Sequence, residues 1–172
     1  MKLHIGARER AEGWTSFDIS PGPGVDVVGN CKDLSAFAAD SIETIYASHV
    51  LEHLRWRDEL PAALTEWRRV LVPGGTVMIS VPDIERLCQL FVHPELTSDD
   101  RFMVMKMMFG AQEDPHDIHY VGLNFDFLGT FLWEAGFIAI RRVPDLKLFD
   151  DTSRVELRGV PISLNVIAEK PR

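Results

Sequence analysis

Three side chains that can exchange protons or bind a metal ion lie close together in the sequence, at His49, Glu52 and His53. Imidazole titrates near neutral pH, so either histidine could act as a general acid or base. The spacing H-x-x-E-H also matches inverted zinc proteases, in which two histidines on one helical face bind zinc and the glutamate acts as base. These residues are therefore candidates for proton transfer or for metal-dependent hydrolysis.

The elements around these residues favour proton transfer over the zinc motif. Residues 44–47 form an apolar, β-branched run that predicts a short buried strand, and Ser48 ends it. Apolar residues 50, 51 and 54 then begin a helical spacing, so His49 lies at a turn rather than on a continuous helix. Ligands of open α/β sheets bind outside the carboxyl ends of the strands. We therefore expect Ser48 and His49 to lie at a binding site, with Glu52 and His53 orienting the turn through hydrogen bonds.

Strand and helix patterns alternate along the rest of the chain. The patterns predict further strands at 2–5, 14–19, 25–28, 76–81, 137–143 and 163–169, and helices at 57–71, 84–91, 99–109 and 125–135, with a turn of helix ending near residue 39. Pro73, Gly74 and Gly75 are expected to end the helix predicted at 57–71. The predicted fold is α/β: a Rossmann-like, mostly parallel sheet with helices on both faces and a C-terminal antiparallel edge hairpin.

Length and composition predict one domain over residues 1–172, with 83–120 as a helical lid or substrate insertion. The net charge of −8 makes nucleic acid an unlikely partner. No apolar run is long enough for a membrane span, and residues 1–6 do not have the pattern of a secretory leader. Cys31 and Cys88 form no metal or redox motif. We therefore expect a cytoplasmic protein that does not associate with membranes.

Four segments in the same order resemble one enzyme family. The opening Leu3-His4-Ile5-Gly6, followed by Gly13-Trp14 and Phe17-Asp18-Ile19, resembles the first motif of class I S-adenosylmethionine-dependent methyltransferases, in particular the compact type 11-like group. The stretch ASHVLEHL at 47–54 is similar to that group's fourth motif, and WRRVLVPGG at 67–75 is similar to its helix-to-strand turn. Residues 119–137 resemble its later block of histidine, helix and A-G-F.

The resemblance implies S-adenosylmethionine as cofactor and methyl transfer to an oxygen or nitrogen nucleophile. Gly6 lets the backbone approach the ligand, and Asp18, at a strand end, can accept hydrogen bonds from both ribose hydroxyls. By the family's motif, Asp33 would accept from the adenine amino group. The implied cofactor-binding residues are Ile5, Gly6, Ala7, Asp18, Ile19, Asp33, Leu34, Ser48 and His49, and the implied catalytic bases are His49 and His119.

The alternatives start from a departure at Arg8, which stands where the family has the second glycine of its first motif. A long charged side chain there could point outward, could contact the cofactor carboxylate, or could mark a catalytically inactive domain of the same fold that binds a partner. Some methyltransferases of small-RNA ends resemble residues 49–53 and bind a divalent ion, with His116 or His119 here as the added ligand. We expect no metal, a small-molecule or glycan-type acceptor, and a homodimer as one compatible assembly.

Overall fold

Nine strands and four α-helices form the part of the chain that the computed structural model describes, residues 1–7 and 9–172. Arg8 lies outside the described residues. The strands are β1 (Lys2–Ile5), β2 (Trp14–Asp18), β3 (Val27–Val28), β4 (Ile42–Ser48), β5 (Leu71–Pro82), β6 (Ile138–Val143), β7 (Glu156–Leu157), β8 (Val160–Pro161) and β9 (Ser163–Glu169). The helices are α1 (Glu59–Val70), α2 (Ile84–Phe91), α3 (Ser98–Phe109) and α4 (Phe125–Glu134), with 3-10 turns at Leu51–His53 and Thr152–Arg154.

Seven strands form one sheet in the order β3-β2-β1-β4-β5-β9-β6. Strands β1 to β5 pair in parallel, while β9 runs antiparallel to both β5 and β6. The predicted fold class is confirmed, including the antiparallel C-terminal strands. The carboxyl ends of β1, β2 and β4 meet at one edge, where the chain order reverses on either side of β1. That reversal creates a crevice in which ligands of such sheets bind.

Helices α1 and α4 pack on one face of this sheet. Its apolar residues alternate along the strands and include Ile5, Ala47 and Ile79, which join Leu64 and Trp67 of α1 in the main core. The opposite face is covered mainly by the connection between β6 and β9. Phe149 of that connection packs on His4 and Tyr46, with ring centroids 4.3 and 4.7 Å away. The helical cover of this second face is thin because the link from β1 to β2 is too short to hold a helix, as its length predicts.

The junction between α1 and β5 differs from the predicted one. Helix α1 begins after Asp58, whose side chain caps it, and ends directly at Leu71, the first residue of β5. Pro73, Gly74 and Gly75 therefore lie within the strand rather than at a helix end. Gly74 has a φ of +78°, and the pairing with β4 shifts register nearby. The prediction was wrong because a proline-glycine pair also suits a β-bulge. The turn of helix expected near residue 39 is likewise absent, and residues 31–40 form turns.

Residues 83–120, predicted as an insertion, contain α2 and α3 and have a small core of their own. Leu87, Leu90 and Val104 form this core with Ile162, which lies between the hairpin strand β8 and β9. Thr97 and Asp100 form a reciprocal capping box at the start of α3. No helix within the described residues combines the length and apolar character that crossing a membrane requires.

Candidate functional site

A cavity of about 530 Å³ opens at the carboxyl edge of β1, β2 and β4. Six of the residues predicted from the sequence line it together: Ile5, Gly6, Asp18, Ile19, Ser48 and His49. Its remaining wall comes from the loop after β3, the 3-10 turn after β4, and the segment around residues 114–120. The strand-end argument therefore identified the position of the cavity correctly.

Gly6 turns the backbone at the bottom of this cavity. Its φ is +81°, and its amide donates a hydrogen bond of 2.8 Å to the carbonyl of Phe17. A Cβ at this position would lie 2.7 Å from Cγ2 of Val50. Glycine is therefore required here for two reasons: the backbone is left-handed, and a side chain would collide with Val50.

Asp18 presents a carboxylate at the end of β2. Its Oδ1 accepts a 2.7 Å hydrogen bond from the Ser20 amide, and the residue is 7% exposed. Among residues 1–7 and 9–172, no hydrogen-bond donor reaches Oδ2. One oxygen is thus held in place while the other is left to accept from a ligand, which suits paired hydroxyl groups.

Ser48 lines the cavity and carries a second polar group without a partner. Its Oγ is buried and has no hydrogen-bond partner in the described part of the chain, as is also true of Ser80 beside it on β5. A buried polar group left without a hydrogen bond costs about 1–3 kcal/mol. A polar ligand that reaches Ser48 would recover this energy.

Three predicted cofactor residues do not line the cavity. Ala7 is buried, and Leu34 belongs to the main core. Asp33 is exposed, and hydrogen bonds from the side chain and the amide of Ser35, the amide at 3.0 Å, hold the pKa of Asp33 below its usual value. The roles given to these three residues stay predictions.

The wall expected at Asp33 is formed instead by residues 29–32, including Asn30. Asn30 lies two residues after Val28, the last residue of both the predicted and the observed strand, so the strand-end rule could have identified it. Lys32 fixes this wall to α1, because its Nζ lies 2.6 Å from Oε1 of Glu59. The amide side chain of Asn30 is thus a polar group that the sequence analysis missed.

His49 lies on the cavity wall with both ring nitrogens engaged. Its Nε2 is 3.0 Å from Oγ of Ser163, whose single proton is donated to the carbonyl of Thr152. Ser163 must therefore accept from His49, which places the ring proton on Nε2. Nδ1 then faces Oε1 of Glu52 at 3.2 Å. With a φ of +55°, His49 also holds a backbone conformation that is rare outside glycine and is often found at functional sites.

Glu52 is the centre of a cluster of three imidazoles, His49, His53 and His119. Its side chain is almost fully buried, and among the described residues the one contact at hydrogen-bond distance from its carboxylate is Nδ1 of His49, 3.2 Å from Oε1. Burial alone would raise the pKa of Glu52, but the surrounding imidazoles outweigh it and lower the pKa below its usual value. Burial lowers the pKa of His119, and the Glu52 charge opposes that shift.

His119 lies in this cluster rather than on the cavity wall. It was expected to arrive as a base from the loop at 110–119, yet the imidazole of that loop that lines the cavity is His116. The loop is fixed by two backbone bonds: the His119 amide donates to Phe109, and the Tyr120 amide donates to Glu52 at 2.8 Å. His53 lines the cavity and also contacts His119, with ring centroids 4.8 Å apart. It therefore connects the cluster to the cavity.

Comparison with known families gives one match. Residues 7–79 match the family described as Methyltransferase domain. A sequence search found no match among curated proteins. The matched segment runs from just after β1 into β5 and so includes most of the cavity wall.

Solved structures share the fold over nearly the whole chain. A S-adenosylmethionine-dependent methyltransferase from Archaeoglobus fulgidus has a TM-score of 0.64 at 15% identity, with 98% of this chain and 85% of that chain covered. One from Mesorhizobium loti has a TM-score of 0.60 at 17% identity, with 98% and 89% covered. The CurJ carbon methyltransferase has a TM-score of 0.59 at 17% identity over 99% of this chain, which spans only 48% of that protein.

Proposed function

We propose that the chain is a class I S-adenosylmethionine-dependent methyltransferase that transfers a methyl group to an oxygen or nitrogen nucleophile of an acceptor. S-adenosylmethionine is the cofactor that the family and the fold imply. The observation that carries the proposal is the shared cavity of Gly6, Asp18 and Ser48. Gly6 provides a tight backbone turn, Asp18 a carboxylate with one oxygen open to a ligand, and Ser48 a hydroxyl without a partner. These groups suit a nucleoside with an amino-acid tail.

The residues present fit this group. Asp18 would accept from the ribose hydroxyls, and the wall at Asn30 would face the adenine ring. Ile5, Gly6 and Ala7 would provide the backbone turn, with Ile19 as an apolar contact and Ser48 as a polar group for the tail. When bound, S-adenosylmethionine supplies a methyl group that is already activated as a sulfonium, so the protein needs no covalent nucleophile of its own.

The protein itself must align the acceptor with the methyl group, exclude water from the cavity and remove a proton from the acceptor. Residues 114–116 and Tyr120 line the cavity opposite the sheet, where they can cover the acceptor. His53 lines the cavity, and its Nδ1 lies 3.2 Å from the carbonyl of Ile118. Its Nε2 has no hydrogen-bond partner among the described residues. We therefore assign proton removal to His53, with His49 and His119, the bases proposed from the sequence, acting on it through Glu52.

A binding and a turnover measurement test this proposal. Calorimetry with S-adenosylhomocysteine is expected to show one site per chain. Incubation with radiolabelled S-adenosylmethionine and a library of small hydroxyl, amine and glycan acceptors is then expected to transfer label to at least one of them. Absence of binding heat from a folded protein would overturn the cofactor assignment.

A non-catalytic domain of the same fold is the second candidate. It is supported by His49, because neither of its ring nitrogens is open to an acceptor in this arrangement. Binding of S-adenosylhomocysteine without label transfer to any acceptor would favour this candidate over an enzyme. The glycan-type acceptor, the homodimer and the cytoplasmic location stay predictions from the sequence.

A further inference from the structure

We propose that the outward face of α3 is an interface between two copies of this chain, in which the two helices pack antiparallel about a two-fold axis. The face consists of Asp99, Phe102, Lys106 and Phe109, which follow one another at spacings of three, four and three residues. Residues at these spacings lie on one side of a helix. The proposal concerns assembly alone and does not depend on methyl transfer.

Helix α3 exposes large apolar side chains on the side that faces away from the protein. Phe102 is 62% exposed, Phe109 54% and the flanking Met103 47%, whereas Val104 on the opposite side is fully buried. A helix on the surface of a monomer normally turns a polar face to water. Exposed apolar side chains that lie next to one another usually mark a surface that binds a partner, and methionine adapts well to such contacts.

The helix that carries this face is fixed from behind at both ends. Asp100 forms the capping box with Thr97 and also accepts hydrogen bonds of 3.0 to 3.2 Å from Nε and Nη2 of Arg158. At the other end, the carbonyl of Phe109 accepts a 3.2 Å hydrogen bond from the His119 amide. The face is therefore presented by an ordered helix, and binding a partner costs little further ordering.

The order of the charges along the face identifies the occupant as a second copy. Asp99 lies in the first turn of α3 and Lys106 in its last turn. When two copies of the helix run antiparallel, Asp99 of each lies opposite Lys106 of the other, and the two-fold axis forms this pair twice. In that register the two Phe102 rings meet at the axis. The rings supply apolar contact, while the charges fix the direction of the helices.

Both charged side chains are available for such pairs. Asp99 is exposed and has no ion-pair partner within residues 1–7 and 9–172. Lys106 lies 3.9 Å from Glu113, whose side chain is 79% exposed, and a pair this long and open contributes little. A lipid surface is a poorer match, because membrane-binding segments are usually rich in Lys and Arg and this chain has a net charge of −8.

The size of the face sets the expected strength of the dimer. A helix of 12 residues supplies less than the roughly 800 Å² per partner of a standard interface. We therefore expect a weak dimer, with a Kd on the order of 10 to 100 µM.

Sedimentation equilibrium of the full chain between about 1 and 500 µM is expected to show monomer and dimer in exchange. Phe102→Glu should weaken dimerisation by at least about tenfold, because it removes the central ring and places two carboxylates together at the axis. Phe127→Glu is the matched control. Phe127 is a similarly exposed aromatic residue on α4, 55% exposed, and its substitution should leave dimerisation unchanged.

Exchange of the two charges tests the antiparallel register. Asp99→Lys and Lys106→Asp should each weaken self-association by about threefold, because like charges then face each other twice. A mixture of these two variants should form a heterodimer, since every charge then faces an opposite one. The double variant Asp99→Lys, Lys106→Asp should regain the affinity of the wild type for the same reason.

Four results would overturn the interface. The first is a folded wild-type chain that stays monomeric at the highest concentration; if that monomer cosediments with phosphatidylcholine vesicles, the face binds lipid instead. The second is wild-type association of a folded Phe102→Glu variant, and the third is loss of the dimer in Phe127→Glu. The fourth is failure of the two single-charge variants to associate with each other. Circular dichroism checks folding, and Phe102→Ser carries the comparison if Phe102→Glu does not fold.

Discussion

Arg142 of the edge strand β6 donates a 2.8 Å hydrogen bond to Oδ2 of Asp83, at the junction of β5 and α2. The Asp83 side chain is 2% exposed, while that of Arg142 is 43% exposed. The other oxygen of Asp83 accepts from the Glu85 amide and caps α2. This pair therefore attaches the start of the insertion at 83–120 to the far edge of the sheet.

Arg142→Ala is expected to lower the free energy of unfolding by about 2 kcal/mol, because it leaves the Asp83 carboxylate buried without its charged partner. The expected loss of stability is smaller than for a fully buried ion pair because the Arg142 side chain is partly exposed to water. Arg141→Ala is the matched control. Arg141 pairs with Glu169 at 3.4 Å with both side chains exposed, and its loss should cost less than about 0.5 kcal/mol. Urea unfolding measures both, and equal losses would contradict the assigned role.

Asp18→Asn is expected to weaken S-adenosylhomocysteine binding by at least about tenfold, because an amide cannot accept two charge-assisted hydrogen bonds as a carboxylate does. Asparagine keeps an oxygen for the Ser20 amide, so the fold should be unaffected. Asp33→Asn is the comparison, since Asp33 lies outside the cavity wall. The affinity of this variant for S-adenosylhomocysteine should change less than twofold. Calorimetry reads both values. A larger effect at Asp33 would restore the role predicted for it from the family's motif.

Gly6→Ala is expected to destabilise the protein by more than the roughly 1–2 kcal/mol that a left-handed backbone costs an alanine. The excess comes from the new Cβ, which would lie 2.7 Å from Cγ2 of Val50. Gly13→Ala serves as control, because Gly13 has a φ of +78° and no atom within 4 Å of an added Cβ. Adding Val50→Ala to Gly6→Ala should recover part of the loss in urea unfolding. No recovery would mean that backbone strain alone accounts for it.

His4 should make the protein less stable as the solution becomes mildly acidic. Burial against Phe149 and Tyr46 lowers the pKa of His4 to about 4 from its usual 6.5, with the Asp151 charge opposing the shift. The unfolded chain then takes up a proton that the folded chain refuses, so this contribution is lost as pH falls from 6.5 to about 4. Allowing for partial exposure, the loss is about 2 kcal/mol.

The comparison for His4 is His4→Phe, which keeps an aromatic ring but cannot titrate. Urea unfolding measured between pH 7 and pH 4 should show a smaller fall in stability for this variant than for the wild type. Parallel curves for the two proteins would show that other groups cause the acid sensitivity.

The local patterns of the sequence were sufficient for the fold class and for six of the residues that line the cavity. Alternating apolar residues predicted the central strands, and a polar residue at the end of each of β2 and β4 identified Asp18 and Ser48. These inferences succeed because strand faces and strand ends depend on nearest neighbours along the chain. The patterns also placed the carboxyl end of β3 at Val28, but Asp33 was named from the family's motif and Asn30, closer to that strand end, was missed.

What only the tertiary structure decided is the cluster around Glu52. The sequence predicts hydrogen bonds from Glu52 and His53 that orient a turn, and it assigns His119 to the cavity. In the structure, the Tyr120 amide binds the Glu52 carbonyl and directs the loop so that His119 lies in the cluster and His116 lies on the cavity wall. That arrangement joins residues more than sixty positions apart, and it depends on packing and long-range hydrogen bonds that no local pattern encodes.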